Sequence, residues 1–302
     1  MSAPFSWPRA LAGELLGTYL LVLFGTGSVA AAVLTNAQMG LWQVAVVWGF
    51  GVTLAIYASA ALSGAHLNPA VSLAFALWRR HDFPVARLLP YLVVQLVGAI
   101  LASATVAWLF WPFLVRFEAN KGLVRGAPGS ELSAMIFSEY FPNPALFGTG
   151  EAARALVSPW HAACVEGFGT GVLVLVIFAL TSPRNRAAPT ANLGPFFIGF
   201  TVAVLISLFA PITQAGWNPA RDFGPRLVAY GLGWGAIAIP GPAGGFWAYI
   251  VGPLVGGPLG GLAWQLIGGE GGLATRIAAE AVSSDGTQTR PAPASRSPMA
   301  EP

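Results

Sequence analysis

Two Asn-Pro-Ala tripeptides, beginning at Asn68 and Asn218, constrain the fold of this chain more than any other feature. Asn is favoured immediately before a helix and Pro at the first helical position, so each tripeptide indicates a helix start. Only about 12 residues separate Asn68 from Arg79, which is roughly 18 Å of helix, whereas the hydrocarbon core of a bilayer is roughly 30 Å thick. The second segment, from Asn218 to about Tyr230, is equally short. Each predicted helix can therefore cross only about half of a bilayer.

The composition of the 302-residue chain places these helices in a membrane. Residues are 55% hydrophobic and only 9% charged, and the mean hydropathy is +0.66. Such values are typical of helical membrane proteins. Apolar segments long enough to span a bilayer cover residues 10–34, 41–62, 88–111, 161–181, 193–213 and 246–267. The predicted fold class is an all-α membrane protein with six transmembrane helices and two re-entrant half-helices.

The distribution of Lys and Arg predicts the orientation, because short cytoplasmic loops carry the excess of positive charge. With the N-terminus inside, the cytoplasmic segments receive nine residues: Arg9, Arg79, Arg80, Arg87, Arg184, Arg186, Arg276, Arg290 and Arg296. The long outer loop, residues 112–160, receives only Arg116, Lys121, Arg125 and Arg154. Both termini are thus predicted to be cytoplasmic. Residues 1–268 are predicted to form the membrane domain, and residues 269–302, rich in Ser, Pro, Ala and Gly, a disordered cytoplasmic tail. The modest net charge of +3 gives no reason to expect nucleic acid binding.

Sequence matches at a nearly constant offset indicate an internal repeat. Glu14-x-x-Gly-Thr matches Glu166-x-x-Gly-Thr at an offset of 152, and Asn68 matches Asn218 at an offset of 150. Repeat 1 covers about residues 8–111 and repeat 2 about residues 160–268. Each repeat contains three full spans, an odd number, so the second must cross the membrane upside down relative to the first. Inverted repeats whose discontinuous helices meet near the midplane are common in transport proteins.

Two helix starts that meet at the midplane predict an aqueous path. Backbone groups at membrane depth are tolerated only where they are buried in protein or line a water-filled cavity. If each Asn side-chain oxygen caps its own helix, the NH₂ groups of Asn68 and Asn218 can donate hydrogen bonds into the path. Both helix dipoles place positive potential at the same point, which disfavours cations. A purely structural role, in which both asparagines only cap their helices, stays open at this point.

The paired boxes, the run from Ser63 to Val71 (SGAHLNPAV) and the repeated Glu-x-x-Gly-Thr together resemble the major intrinsic protein family of aquaporins and glycerol facilitators. The resemblance covers roughly residues 8–268. It implies an aquaporin-like fold, a passive channel without cofactors, and a homotetramer in the cell (inner) membrane. Exclusion of cations by half-helix dipoles and an Arg is the known behaviour of such channels.

The resemblance also assigns roles to the charged residues inside the membrane, which are costly there. Arg221 stands where the family has its constriction Arg, so it is expected to line the pore, unless it forms a buried ion pair with Asp222 or Glu166. Glutamates at the positions of Glu14 and Glu166 accept hydrogen bonds from the re-entrant loops in the family. Asp222, in the first turn of the second half-helix, complements the helix dipole. We expect Glu14, Glu166 and Asp222 to be structural supports.

Backbone carbonyls before each box are expected to form a ladder of acceptors along the pore. The ladder comprises the carbonyls of Gly64, Ala65, His66, Ala215, Gly216 and Trp217. Gating by protonation of the His66 ring is a further hypothesis. His81 and His161 are not expected near His66, so no metal site is predicted.

Counting from the second box as in the family places the selectivity filter at Trp48, Ile206, Ala215 and Arg221. Water-selective members usually have Phe and His at the first two positions. Here an apolar wall of Trp48 and Ile206 faces the Arg donor, an arrangement that suits the carbons and hydroxyls of a polyol. The sequence therefore predicts a passive channel for glycerol and similar small neutral polyols, with water as a second permeant.

The filter departs from that of glycerol facilitators, which typically have Gly at the position of Ile206 and Phe at that of Ala215. The set Trp, Ile, Ala, Arg is closer to the plant nodulin-26-like channels, which the family associates with water, glycerol and metalloid acids. A water-selective aquaporin, an ion-coupled transporter and a structural junction protein are also compatible with the sequence. No nucleophile and base are expected to converge, so the sequence does not favour an enzyme.

Overall fold

The computed structural model describes residues 5–38 and 40–268, and the predicted tail, residues 269–302, lies outside the described residues. Within the described part the regular structure is helical, without strands. The α-helices are α1 (Trp7–Thr35), α2 (Leu41–Ser63), α3 (Pro69–Trp78), α4 (Leu88–Lys121), α5 (Glu131–Ala134), α6 (Pro144–Phe147), α7 (Glu151–Arg154), α8 (Pro159–Leu180), α9 (Gly194–Thr213), α10 (Pro219–Ala229) and α11 (Ala248–Ile267). In this part of the chain, six helices are long and apolar enough to cross a membrane: α1, α2, α4, α8, α9 and α11.

The helix packing has the symmetry of the predicted inverted repeat. Helix α1 packs against α2 and α4, and its counterpart α8 packs against α9 and α11. The two half-helices are exchanged between the halves, since α3 packs on α11 and α10 packs on α4. Helices α2 and α9 pack against each other and join the two halves. Each half-helix is thus held mainly by the last helix of the opposite repeat.

Glycines allow the helices of each half to approach closely, as is common in membrane bundles, where dispersion and not hydrophobicity drives helix association. In the α8 and α11 pair, a Cβ built on Gly256 would lie 1.8 Å from the carbonyl oxygen of Gly167, and one built on Gly260 would lie 1.9 Å from that of Gly171. These positions leave no space for a side chain.

The predicted outer loop starts later than expected. The sequence predicts that the third apolar segment ends at residue 111, whereas α4 continues through Pro112 to Lys121 and ends at Gly122, whose φ of 63° provides a left-handed cap. A proline inside a helix removes one backbone hydrogen bond but need not end the helix. The last turns of α4 are held by tertiary contacts, because Leu114 is fully buried and Glu118 forms an ion pair with Arg125 at 2.9 Å. The predicted start of the outer loop, residue 112 of the range 112–160, is therefore wrong.

The remaining connection before α8 is ordered. It contains the single-turn helices α5, α6 and α7. Between α5 and α6, residues 135–143 cross over the C-terminal end of α9 and the start of α10; we call this segment the strap. The backbone N–H of Tyr140 donates to Gln214 Oε1 at 2.8 Å, and Asn143 Nδ2 donates to the carbonyl of Ala210 at 3.1 Å. The strap is the part of the connection that reaches the candidate site.

Candidate functional site

The two predicted half-helices begin with capping asparagines. Asn68 is extended, with φ of −158°, and its Oδ1 accepts a hydrogen bond from the N–H of Ala70 at 2.8 Å. Asn218 Oδ1 accepts from the N–H groups of Ala220 and Arg221 at 3.1 and 3.2 Å. These contacts satisfy N–H groups that have no partner within the helix. Both asparagines therefore act as caps, as their position before Pro predicts.

The same asparagines also connect the two halves of the chain. Asn68 Nδ2 donates to the carbonyl of Trp217 at 2.9 Å, and Asn218 Nδ2 donates to the carbonyl of Leu67 at 2.8 Å. Because each amide has two N–H groups and one is engaged in this way, one N–H of each remains for a solute. The expectation that the whole NH₂ group is free is corrected by this reciprocal pair of hydrogen bonds.

A third Asn-Pro-Ala tripeptide lies in the strap and α6, at Asn143-Pro144-Ala145, and its significance was missed in the sequence. Asn143 Oδ1 accepts from the N–H of Ala145 at 3.0 Å, so the local geometry is again that of a cap. Helix α6 has only four residues and does not enter the central cavity. The tripeptide by itself thus encodes a capped helix start; this third copy lines the vestibule described below and not the central cavity.

Buried glutamates support each re-entrant loop. Glu14 accepts hydrogen bonds from the N–H groups of His66 and Leu67 at 2.9 and 2.8 Å. At the matching place in the second half, Glu166 accepts from Gly216 and Trp217 at 3.1 and 2.7 Å. Each loop therefore turns its N–H groups toward a carboxylate behind it.

A central cavity of about 250 Å³ runs between the half-helices. All predicted ladder residues line it: Gly64, Ala65, His66, Ala215, Gly216 and Trp217. Asn68 and Asn218 also line it, as do the four predicted filter residues Trp48, Ile206, Ala215 and Arg221. The supporting residues Glu14, Glu166 and Asp222 do not line it and are fully buried.

A second cavity, the vestibule, lies on the side of the strap and has a volume of about 710 Å³. Three residues line both the vestibule and the central cavity: Trp48, Ile206 and Arg221. Trp48 and Ile206 are only 7% and 4% exposed, so neither faces lipid. Residues shared by two successive cavities mark the junction between them.

Arg221 is fixed at this junction by three neighbours. The centre of its guanidinium lies 4.6 Å from the ring centroid of Trp48, and Nη1 donates to the carbonyl of Phe137 at 2.9 Å. The Nε group forms an ion pair with Glu139 of the strap. Stacking on an aromatic face and a planar set of donors are typical of Arg in recognition sites.

The ion pair that was considered for Arg221 has a different partner from those expected. Asp222 instead binds Arg226, with Oδ2 accepting from Nε at 2.8 Å and Oδ1 from Nη2 at 2.7 Å. Glu166 is occupied by the loop backbone. Glu139 was missed because it lies in a polar connection, far earlier in the chain, where no helical spacing relates it to Arg221. Its only signal in the sequence was an acidic residue in the long outer loop.

Glu139 is almost completely buried, at 1% exposure. Burial raises the pKa of the Glu139 carboxyl well above its ordinary value, and the neighbouring guanidinium of Arg221 acts in the opposite direction. Apart from the ion pair, neither carboxyl oxygen of Glu139 has a hydrogen-bond partner among the described residues.

The ring of His66 is held by packing. Its centroid lies 4.6 Å from that of Phe75 and 4.4 Å from that of Phe83, and Nδ1 is 3.2 Å from Ser72 Oγ. In the part of the chain that the structure describes, no group of three or more His, Cys, Asp or Glu is placed to hold a metal ion. This packed ring belongs to a residue that lines the central cavity.

Comparisons with known proteins agree with this geometry. Residues 2–264 match the family model of the major intrinsic protein. The glycerol uptake facilitator protein of Pseudomonas aeruginosa is 44% identical over 228 residues, 76% of this chain and 76% of that protein. The propanediol uptake facilitator PduF of Citrobacter freundii is 40% identical, over 76% of this chain and 79% of that protein. The X-ray structure of the aquaglyceroporin from Plasmodium falciparum superposes with a TM-score of 0.72 at 26% identity, covering 87% of this chain and 97% of that one. With both the matched family model and the aquaporin-like arrangement of six spans and two half-helices, this chain belongs to the major intrinsic protein family of membrane channels.

Proposed function

We propose that the protein is a passive channel that conducts glycerol and similar small neutral polyols. The observation that carries the proposal is the two-sided filter at the junction of the cavities. Trp48 and Ile206 present an apolar wall, and Arg221, whose guanidinium lies beside the Trp48 ring, presents donors. A polyol has carbons for the first surface and hydroxyls for the second. The names of the relatives, facilitators of glycerol and propanediol uptake, support the same class of solute. As a member of a channel family, the protein is not an enzyme.

The path beyond the filter supports passage of a solute that both donates and accepts hydrogen bonds. The ladder carbonyls supply acceptors, and the remaining N–H groups of Asn68 and Asn218 supply donors near the point where the half-helices meet. We assign Glu14 and Glu166 the role of keeping the ladder carbonyls turned to the lumen, because their carboxylates engage the N–H groups of the same loops. Asp222 supports the filter through Arg226 and the strap.

Exclusion of cations follows from the charges along this path. Two half-helix dipoles direct their positive ends at Asn68 and Asn218, and the charged group that lines the filter, the guanidinium of Arg221, is positive. Water is proposed as a second permeant, because every group that binds a hydroxyl also binds water. We also propose that both termini are cytoplasmic and that the protein forms a homotetramer in the inner membrane.

The function is tested by stopped-flow light scattering of liposomes that contain the purified protein. An inward gradient of glycerol is expected to cause rapid shrinkage followed by rapid re-swelling, at rates well above those of protein-free liposomes. Parallel series with urea, a neutral metalloid acid and an impermeant sugar distinguish the classes of solute. Shrinkage without re-swelling in glycerol identifies a water-selective pore, and re-swelling faster in the metalloid acid than in glycerol identifies that acid as the favoured solute. A flux that disappears when the proton gradient is removed contradicts a passive channel.

The size of the filter is tested at Ala215. Replacing Ala215 with Phe while Ile206 is retained puts two large groups beside Trp48, and we expect the glycerol permeability to fall about tenfold while that of water falls less, since overfilled packing costs about 1–3 kcal/mol. The additional change Ile206→Gly removes the excess volume and is expected to restore glycerol flux. The two variants are compared in the same liposome assay. Equal losses of water and glycerol flux in Ala215→Phe contradict a size filter at this position.

A further inference from the structure

The strap places a second charge beside the filter. The carboxyl group of Glu139 contacts Nε of Arg221. The residues Glu139 and Arg221 are 1% and 4% exposed. Glu139 itself does not line the central cavity or the vestibule, whereas Arg221 lines both. Glu139 is therefore not expected to contact a solute directly, and the residue through which it contacts the filter is Arg221.

We propose that Glu139 is a specificity-determining positioning residue: it orients the guanidinium of Arg221 and compensates its charge, so that the filter binds neutral solutes as a donor surface without attracting anions. The proposal rests on the assignment of Arg221 to the filter of a polyol channel. It adds a residue from the connection before α8 to a filter otherwise built from α2, α9, α10 and the second re-entrant loop.

The position of Glu139 is fixed by its own backbone. Its N–H donates to Asp222 Oδ1 at 3.0 Å, and its carbonyl accepts from Arg226 Nη2 at 2.7 Å. Asp222 and Arg226 also bind each other, so this pair grips the strap from both sides of the Glu139 peptide. The backbone of Glu139 is thus held in place by a buried network, and its carboxyl group is the counter-charge that contacts Arg221.

The contacts of Arg221 divide its donors between protein and solute. Arg has five N–H groups; the Nε group faces Glu139 and one group of Nη1 faces Phe137, which leaves three. Trp48 covers one face of the guanidinium. These three contacts hold the plane of the guanidinium in a residue that lines both cavities, and three N–H groups are left for a bound hydroxyl.

The charge balance has a consequence for ions. When Glu139 is ionised, its negative charge balances the positive charge of Arg221, and Asp222 balances Arg226. The net charge of these four residues is then zero. When Glu139 is neutral, one positive charge remains uncompensated at the junction of the two cavities, where the local dielectric is low and the interaction with an ion is strong. Cations stay excluded in that state, but small anions gain an attractive site.

The titration of Glu139 depends on several neighbours. The charged or titratable groups around it are Arg221, Asp222 and Arg226 of α10, Glu166 of α8, Tyr249 of α11 and Tyr140 of the strap. Since burial raises its pKa, acidification is expected to neutralise Glu139, which carries its charge only above that pKa.

The test is a double-mutant cycle of Glu139→Gln and Arg221→Gln in the full-length protein, reconstituted in liposomes loaded with potassium chloride. Release of chloride is followed with an ion-selective electrode in the presence of a potassium ionophore, and glycerol flux is followed by light scattering. We expect Glu139→Gln to raise chloride release roughly tenfold while glycerol flux persists. The double variant, which has neither charge, is expected to return to the low chloride release of the wild type. Chloride release that stays low in Glu139→Gln, or stays equally high in the double variant, overturns the proposal.

Three controls separate charge from structure. Glu131→Gln removes another buried carboxylate of the same connection, which pairs with Arg154, and is expected to leave chloride release unchanged. Glu139→Asp keeps the charge and is expected to keep chloride release low even if glycerol flux changes; a leak as large as that of Glu139→Gln contradicts the role of charge. If Glu139→Gln does not fold, the proposal is tested by acidification of the wild type. Acidification must then raise chloride release more in the wild type than in Glu139→Asp/Arg221→Gln. A wild type without glycerol flux refutes the proposed function, whereas a glycerol-conducting wild type whose variants show no chloride effect refutes only this inference.

Discussion

Gly256→Val is expected to destabilise the folded channel severely. A Cβ at this position would lie 1.8 Å from the carbonyl oxygen of Gly167 on α8. That oxygen belongs to helix backbone and cannot rotate away as a side chain can, so α8 and α11 must separate along their contact. We expect a loss of about 3 kcal/mol or more, at the upper end of the cost of overpacking. The measurement is the thermal transition of the protein in detergent, which should fall by about 10 °C, or yield no folded protein.

A matched control is available in α1. A Cβ built on Gly27 meets no atom within 4 Å, so Gly27→Val introduces the same side chain without the clash. We expect its transition temperature to stay close to that of the wild type. Equal losses in the two variants would mean that the introduction of Val in a helix, and not the contact of α8 with α11, is responsible.

Asn218→Ala is expected to reduce glycerol conduction about tenfold, because it removes one midplane donor and a hydrogen bond worth about 1 kcal/mol. The change also uncaps α10, since Oδ1 of Asn218 serves the N–H groups of Ala220 and Arg221. Arg221 stands at the first turn of that helix, so both the centre of the pore and the filter are affected. Glycerol and water permeabilities are measured in liposomes at equal protein content.

Asn143→Ala is the control for this prediction. Asn143 begins an Asn-Pro-Ala tripeptide with the same capping geometry, but outside the central cavity. We expect it to lower stability by about 1 kcal/mol, as loss of a cap does, and to leave the ratio of glycerol to water flux unchanged. An equal loss of glycerol flux in the two variants would contradict a direct role of Asn218 in conduction.

The fold was predictable because its determinants are local or repeated. Hydropathy locates the spans, Asn before Pro locates the half-helix starts, and the matching of Glu14 with Glu166 identifies the two halves. An odd number of spans per half then requires inversion. None of these features depends on which side chains touch, and the aquaporin-like arrangement that they predict is confirmed by the family match and by the structural neighbour.

The site was predictable only in part, for a physical reason. Arg221 directly follows the second box, at the position where the family resemblance implies the constriction Arg. Glu139 is not, because it reaches Arg221 through the fold of a connection whose sequence has no periodicity. The end of α4 was misplaced for a similar reason: Pro112 is a local signal for a helix end, and the burial of Leu114 outweighs it.

The reciprocal hydrogen bonds of Asn68 and Asn218 have a consequence for biosynthesis. Each amide binds a carbonyl of the other half, so the centre of the pore contains no structure that either half can complete by itself. A nascent chain that has inserted only α1 to α4 has half of a ladder and no opposing half-helix. The conducting path therefore comes into existence only when the second half docks, and the membrane is protected from a leak while the protein is being made.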